Sequence, residues 1–327
     1  MIKNLEINGY KGLIDFKLDN LSQVNIISGS NNVGKTALLE AISLSKFNRI
    51  AIFRQQLIPI FEARDLTIFD INLFLENINL TLKINNKKKT IKHKTIEELT
   101  SKQLKSIEEK YGEYEDFLIM NFNKKYTIMP FQKNPKYLKE YKKTFIDSSK
   151  PTNMYLTNEY SSIQDLGKQD EFLKYLQIID KNITRIEPQI RGEKQSFLRV
   201  TLENPKQSLI SSELGEGTNR YIEILSVLLK NSNGIVLIDE IENGIHYTKL
   251  YDIWKAIIEI VQKEKIQLFV TTHNLESIEA LTEASEAMKF DKIASVKLQK
   301  DEKNVIYPVV RNYSSFVATV DSGMDIR

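Results

Sequence analysis

The chain has 327 residues, 41% hydrophobic and 27% charged, with a formal net charge of +3 and no cysteine. That balance suits a soluble globular protein with a sizeable core, in one large domain or two ordinary ones. Disulfides, thiolate metal sites and a cysteine nucleophile are excluded, and so small a charge does not by itself imply a polyanionic partner.

The N-terminus, MIKNLEINGYKGLIDF, lacks the apolar core of a signal peptide, and no apolar run approaches the roughly 18 residues of a membrane helix. A cytoplasmic protein without a membrane partner is the default expectation. Ile2, Leu5 and Ile7, then Leu13, Phe16 and Leu18, flank the turn residues NGYKG, which predicts an antiparallel hairpin. VNIIS (residues 24–28) reads as a short apolar strand. After GSNNVGKT, the residues Leu38, Leu39, Ile42 and Leu44 recur at roughly helical spacing.

INLTLKINNKKKTIKHK predicts strand, turn and strand. From about 96 to 190 the pattern turns helical and charged, clearest in residues 95–118 and 162–183. SFLRVTLEN (196–204) returns to alternation. A helix is predicted over about 219–230, with Tyr221, Ile224, Leu225 and Leu228 on one face. GIVLIDE (234–240) is a buried strand. A helix follows with Leu250, Ile253, Trp254, Ile257 and Val261, then the buried strand IQLFVTT (266–272) and a hairpin in SVKLQKDEKNVIYPVV. Strands alternating with helices predict a mainly parallel sheet covered on both faces. The lysine clusters at 87–94 and 133–143 read as solvated faces.

Four stretches carry chemistry. GSNNVGKT fits G-x-x-x-x-G-K-[ST] with Gly29, Gly34, Lys35 and Thr36, and the whole loop from Gly29 through Ser30, Asn31, Asn32 and Val33 to Ala37 is expected to hold phosphate. Glycines let backbone N–H groups turn inward, and the helix that follows points its positive end at the same oxygens. Lys35 would reach the β- and γ-phosphates and the Thr36 hydroxyl would ligate Mg²⁺. IVLIDE ends a core strand in two acids: Asp239 is placed for a Mg²⁺-bound water and Glu240 for the general base. SSELGEGTNR offers Ser212, Gly215, Glu216 and Gly217 at a helix N-terminus, which suits an anion. His273 in FVTTHN stands at a strand end, where it could donate to a γ-phosphate. His93 and His246 lie far from it in sequence, without metal-ligand spacing.

The order of these motifs resembles the ATPase heads of the ABC superfamily in its SMC- and RecF-like soluble branch. It is closer still to the ATPase domain of OLD-type proteins and their stand-alone AAA-type relatives. VNIISGSNNVGKTALLEAI, SELGEGTNRYIEIL, VLIDEIENGIHYTKL, FVTTHNLESIEAL and the terminal DSGMDIR carry the resemblance, while residues 50–190 match loosely. It implies an α/β P-loop NTPase of the ABC ATPase type, with a mainly parallel core sheet, an antiparallel β subdomain and a helical insertion. One ABC-type domain is expected over 1–327: residues 1–95 and 193–327 as the nucleotide-binding lobe, about 96–192 as the insertion, and no TOPRIM nuclease on this chain. ATP and Mg²⁺ would be bound between two heads of a homodimer or larger homo-oligomer. SELGEG takes the place of the ABC signature, although it departs from the usual LSGGQ, and would contact the γ-phosphate on the other protomer. ENGIH (242–246) would lie in the same interface and His273 matches the switch histidine. The Q-loop glutamine is open among Gln55, Gln56, Gln132 and Gln164. The resemblance implies hydrolysis of ATP to ADP and phosphate as a conformational switch, controlling a separate nuclease or toxin in anti-phage defence. The alternatives are a RecF-like head binding DNA and a nucleotide-dependent scaffold with little turnover.

Overall fold

A computed structural model describes residues 1–45, 79–95, 99–100, 116–122, 125–130, 144–191, 195–204, 206–324 and 326. The opening alternation folds as the expected hairpin, β1 (Leu5–Asn8) against β2 (Phe16–Leu18), with Leu5 opposite Leu18 and Ile7 opposite Phe16. VNIIS is β3 (Val24–Ser28), every residue buried, and α1 (Lys35–Ser45) follows the glycine loop. Next come β4 (Asn79–Ile84), β5 (Lys87–Thr95), β6 (Asp116–Phe122) and β7 (Lys125–Pro130), then β8 (Phe145–Ile146). Two helices, α2 (Asn153–Asp165) and α3 (Gln169–Leu176), precede β9 (Ile183–Arg191), β10 (Gln195–Leu202) and β11 (Gln207–Ile210). The remainder alternates: α4 (Glu216–Lys230), β12 (Ile235–Ile238), α5 (Leu250–Lys263), β13 (Gln267–Thr271), α6 (Leu275–Ala287), β14 (Ile293–Lys300), β15 (Ile306–Arg311) and α7 (Tyr313–Asp321).

The central sheet has the order β15-β14-β3-β13-β12-β8, parallel throughout except for β15. The inner strands β3, β13 and β12 are buried on both faces, which is why they read as near-continuous apolar runs. Period-two alternation splits them between two cores. Val24, Ile26, Val236, Ile238, Leu268 and Val270 pack with α2 to α7. Ile27, Leu237, Phe269, Val296 and Leu298 face α1 and, beyond it, the second sheet, β2-β1-β4-β5-β6-β7, antiparallel throughout. The third sheet, β11-β10-β9, packs Ile186, Leu198 and Val200 into the helical side. Each fully buried aliphatic side chain in these layers stabilises by about 1.5–3 kcal/mol. No helix among the described residues is long and apolar enough to cross a membrane.

Several expectations need correction. The stretch from about 96 to 192 is not simply helical: β6 and β7 extend the antiparallel sheet, β8 joins the central one, and β9 pairs with β10. The lysine cluster on β5 is not wholly solvated. Lys89 shares a sheet face with Ile91 and is 1% exposed, and burial pushes its ammonium down to about 8. After the final hairpin the chain forms α7, a helix the sequence reading did not place. Ile326 is buried beyond it, and its carbonyl accepts from Ser28 Oγ at 2.5 Å. Asp325 and Arg327, most of 95–118, the lysines at 133–143, and Gln55, Gln56 and Gln132 lie outside the described residues.

Candidate functional site

In a parallel sheet the loops at the carboxyl ends of the strands open onto one crevice. Here β3, β12 and β13 are neighbours, so the loops that follow them meet. The cleft so formed is lined by Asn31, Asn32, Gly34, Lys35, Thr36 and Ala37 after β3, Asp239 and Glu240 after β12, His273 after β13, and Lys11 from the β1–β2 turn.

The glycine loop departs from β3 through Gly29, at φ +139. A Cβ there would lie 2.6 Å from the Leu298 carbonyl oxygen and 2.9 Å from Val33 Cγ1. Gly29→Ala should therefore lower stability by about 1–3 kcal/mol, from backbone strain and displacement of β14; denaturant unfolding of the purified variant measures it. Val33 is buried beneath the loop, and Ser30 borders a neighbouring hollow with Lys297, Lys300 and Tyr307. Lys35 curls back so that Nζ donates to the carbonyls of Gly29 at 2.7 Å and Ser30 at 2.9 Å. Burial holds its ammonium below the ordinary value, against the opposing pull of Asp239, Glu240 and Glu242.

Thr36 Oγ1 donates to Asp239 Oδ2 at 2.8 Å, and Thr271 Oγ1 donates to Asp239 Oδ1 at 2.5 Å. Two residues distant by 203 positions thus bring hard oxygens together in the cleft, a donor set that suits Mg²⁺. Among the described residues no cluster of three or more His, Asp or Glu side chains could hold a metal, so an ion at Thr36 and Asp239 would keep waters, as Mg²⁺ does.

Glu240 sits in the left-handed region at φ +49, unusual for a side chain without glycine's freedom. Its N–H donates to Thr271 Oγ1 at 2.8 Å, so one hydroxyl fixes both acids that end β12. His273 Nδ1 lies 3.6 Å from Glu240 Oε1. Behind it, Asn274 caps α6 by accepting from the Glu276 N–H at 2.7 Å, which fixes where β13 stops and the helix begins.

Ser212, Gly215, Glu216 and Gly217 are not brought into this cleft. They stand at and before the start of α4. A Cβ on Gly217 would lie 2.2 Å from the Gly244 carbonyl oxygen, so the helix start packs directly on the turn 242–246. Glu216 pairs with Lys150. Gln164 is exposed on α2 and does not line the cleft.

Sequence reading missed three contributors. Lys11 enters from the hairpin turn and pairs with the buried Glu40 of α1 at 2.9 Å, where Tyr10 Oη also donates at 3.0 Å. Arg220 is buried on α4. Its guanidinium donates to the Asp239 carbonyl at 2.5 Å, to the Asp147 carbonyl at 2.6 Å and to Glu223 Oε2 at 3.1 Å. Glu242 lies behind His273, whose N–H donates to Glu242 Oε1 at 3.2 Å. The one sequence signal for Lys11 was its place in the NGYKG turn; Glu242 was read only as part of ENGIH in the dimer interface, and Arg220 was not singled out.

Residues 24–279 match the family described as "AAA domain, putative AbiEii toxin, Type IV TA system". The chain belongs to this family. The match runs from β3 through the glycine loop, Asp239 and Glu240 to His273 and into α6. Among relatives of this AAA-domain protein, an "ATP/GTP phosphatase" of Helicobacter pylori is 24% identical over 364 residues, covering 94% of this chain and 95% of that protein. The protein MJECL10 of Methanocaldococcus jannaschii is 46% identical over 44 residues, 14% of this chain and 20% of its own length. Among solved structures, the SMC head bound to the C-terminal winged-helix domain of ScpA superposes with a TM-score of 0.51 at 11% identity, covering 96% of this chain and 98% of that one. The AAA-domain chain therefore has the fold of an ABC-type ATPase head, with the parallel-dominated sheet expected.

Proposed function

We propose that the chain binds and hydrolyses ATP with Mg²⁺ in the cleft between the glycine loop and the ends of β12 and β13. The observation that carries this reading is the convergence of Lys35, the Thr36–Asp239 pair, Glu240 and His273, from three loops, on one opening. Lys35 exchanges its two loop carbonyls for β- and γ-phosphate oxygens, and the start of α1 offers backbone N–H groups to the same anion. Thr36 and Asp239 would hold Mg²⁺, which when bound would neutralise charge on the triphosphate. Glu240 takes a proton from water as the water oxygen bonds to the γ-phosphorus and the bond to the β–γ bridging oxygen breaks, releasing ADP. His273 donates to a γ-phosphate oxygen. The name of the Helicobacter pylori relative supports triphosphate hydrolysis.

Ser212, Gly215, Glu216 and Gly217 stand outside the cleft of their own chain. They fit a head-to-tail homodimer in which each α4 start faces the nucleotide of the other copy. The motif order supports an OLD-like role in anti-phage defence, with hydrolysis controlling a separate nuclease or toxin, and the family's description names a toxin of a toxin–antitoxin type.

The test is titration of the protein with MgATP, together with a phosphate-release assay. Wild type should bind and turn over, and Lys35→Ala should weaken binding by about 10- to 100-fold, the worth of one or two charge-assisted hydrogen bonds. Equal binding by wild type and Lys35→Ala would remove the reading.

A further inference from the structure

Glu242 is 8% exposed. Oε1 accepts the His273 N–H at 3.2 Å and stands 3.6 Å from His273 Nδ1. Oε2 is buried and has no hydrogen-bond partner among the described residues. Burying a carboxylate carries a desolvation cost. Burial accordingly raises the Glu242 carboxyl above its usual range, against its own backbone N–H, the Thr272 hydroxyl and the His273 N–H and ring. The second carboxylate beside the same ring nitrogen is Glu240, with Oε1 also at 3.6 Å. The His273 imidazole is therefore set between a carboxylate that faces the cleft and one that is shut away behind it.

The backbone of Glu242 belongs to a turn with a second contact. The Ile245 N–H donates to the Glu242 carbonyl at 2.9 Å and the Asn243 N–H to the Glu240 carbonyl at 3.0 Å. The same turn meets the first residues of α4 at Gly217 and Gly244 without space for one added carbon. A shift at the start of α4 must move this turn, and through the Glu242 side chain it moves His273.

We propose that Glu242 is a positioning residue that holds the His273 imidazole beside Glu240 and ties it to the turn packed against the start of α4. This rests on the reading of the cleft as an ATPase site. The contact with substrate is made by His273; Glu242 acts only through it.

The protein has three histidines, so imidazole ¹H–¹⁵N spectra of the intact chain resolve His273, assigned with His273→Ala. Glu242→Gln keeps an acceptor for the His273 N–H and removes the charge. It should move the His273 ring resonances while leaving those of His93 in place. In the phosphate-release assay it should lower kcat by about tenfold, a fraction of what general acid–base groups supply, with KM for MgATP within about twofold. The double variant with His273→Ala should be no slower than His273→Ala alone, because both changes act through one ring. Unmoved His273 resonances overturn the proposal, and so does a rate loss that multiplies with that of His273→Ala. If wild type releases no phosphate, the ATPase reading fails and the spectra alone decide this one. Should the glutamine variant unfold, Glu242→Asp answers the same question, since it keeps the charge but draws it back by one methylene.

Discussion

Glu240→Gln should lower phosphate release by about 10²- to 10⁴-fold, the usual worth of a positioned general base, while MgATP affinity stays within about twofold. The amide is isosteric with the carboxylate and cannot take the proton of the attacking water. The backbone anchors of this residue do not depend on the charge: its N–H is held by Thr271 Oγ1 at 2.8 Å, and the left-handed φ of +49 is fixed by the turn. The metal-side pair is also untouched, because Thr36 and Thr271 engage Asp239 rather than Glu240. Binding and turnover thus separate in one substitution. If two copies close head-to-tail on bound triphosphate, the variant should also elute as a dimer when MgATP is present in the column buffer, since the closed state can no longer discharge. Wild-type turnover by Glu240→Gln would mean that another group activates the water, and the assignment of the base would be lost. Unchanged slow release in both proteins would favour a nucleotide-dependent scaffold.

What the sequence disclosed and what it withheld follow a physical line. The glycine loop was legible because its chemistry is local: glycines, lysine and threonine at fixed spacing between an apolar strand and an apolar-faced helix. The places of Asp239, Glu240 and His273 were legible because each follows a short, largely buried strand of the central sheet, and such strands announce themselves as near-continuous apolar runs. The second sheet was less so. DFLIMNF and KYTIMP are short and sit among charged segments of helical periodicity, so the pairing of the first with β5, which carries the second into the sheet, is a long-range fact with a weak local trace. Lys89 reads as one of a basic run until the register places it on the face of Ile91. Arg220 was invisible for a different reason. A lone arginine between Asn219 and Tyr221 on an amphipathic helix reads as a solvated charge, and its acceptors come from positions 147 and 239.

That same arginine carries a large expected effect on stability. Arg220 is 4% exposed, and its guanidinium holds together three parts of the chain: the loop after β8 through the Asp147 carbonyl, α4 through Glu223, and the end of β12 through the Asp239 carbonyl. Arg220→Met fills similar space without donors. It leaves the Glu223 carboxylate, itself 2% exposed, without its cation and two carbonyls without their donors. Breaking a buried ion pair from one side costs about 3–5 kcal/mol, so the midpoint of thermal unfolding followed by circular dichroism should fall by about 4–7 °C. Removing the pair from both sides leaves no uncompensated charge, and Arg220→Met combined with Glu223→Gln should recover at least half of the loss. Catalysis should not recover with it, because the Asp239 carbonyl remains untethered and Glu240 follows directly in the chain. A double variant as unstable as the single one would show that the carbonyl contacts, not the ion pair, hold these elements together. A single variant with the wild-type midpoint would remove Arg220 from the structural account altogether.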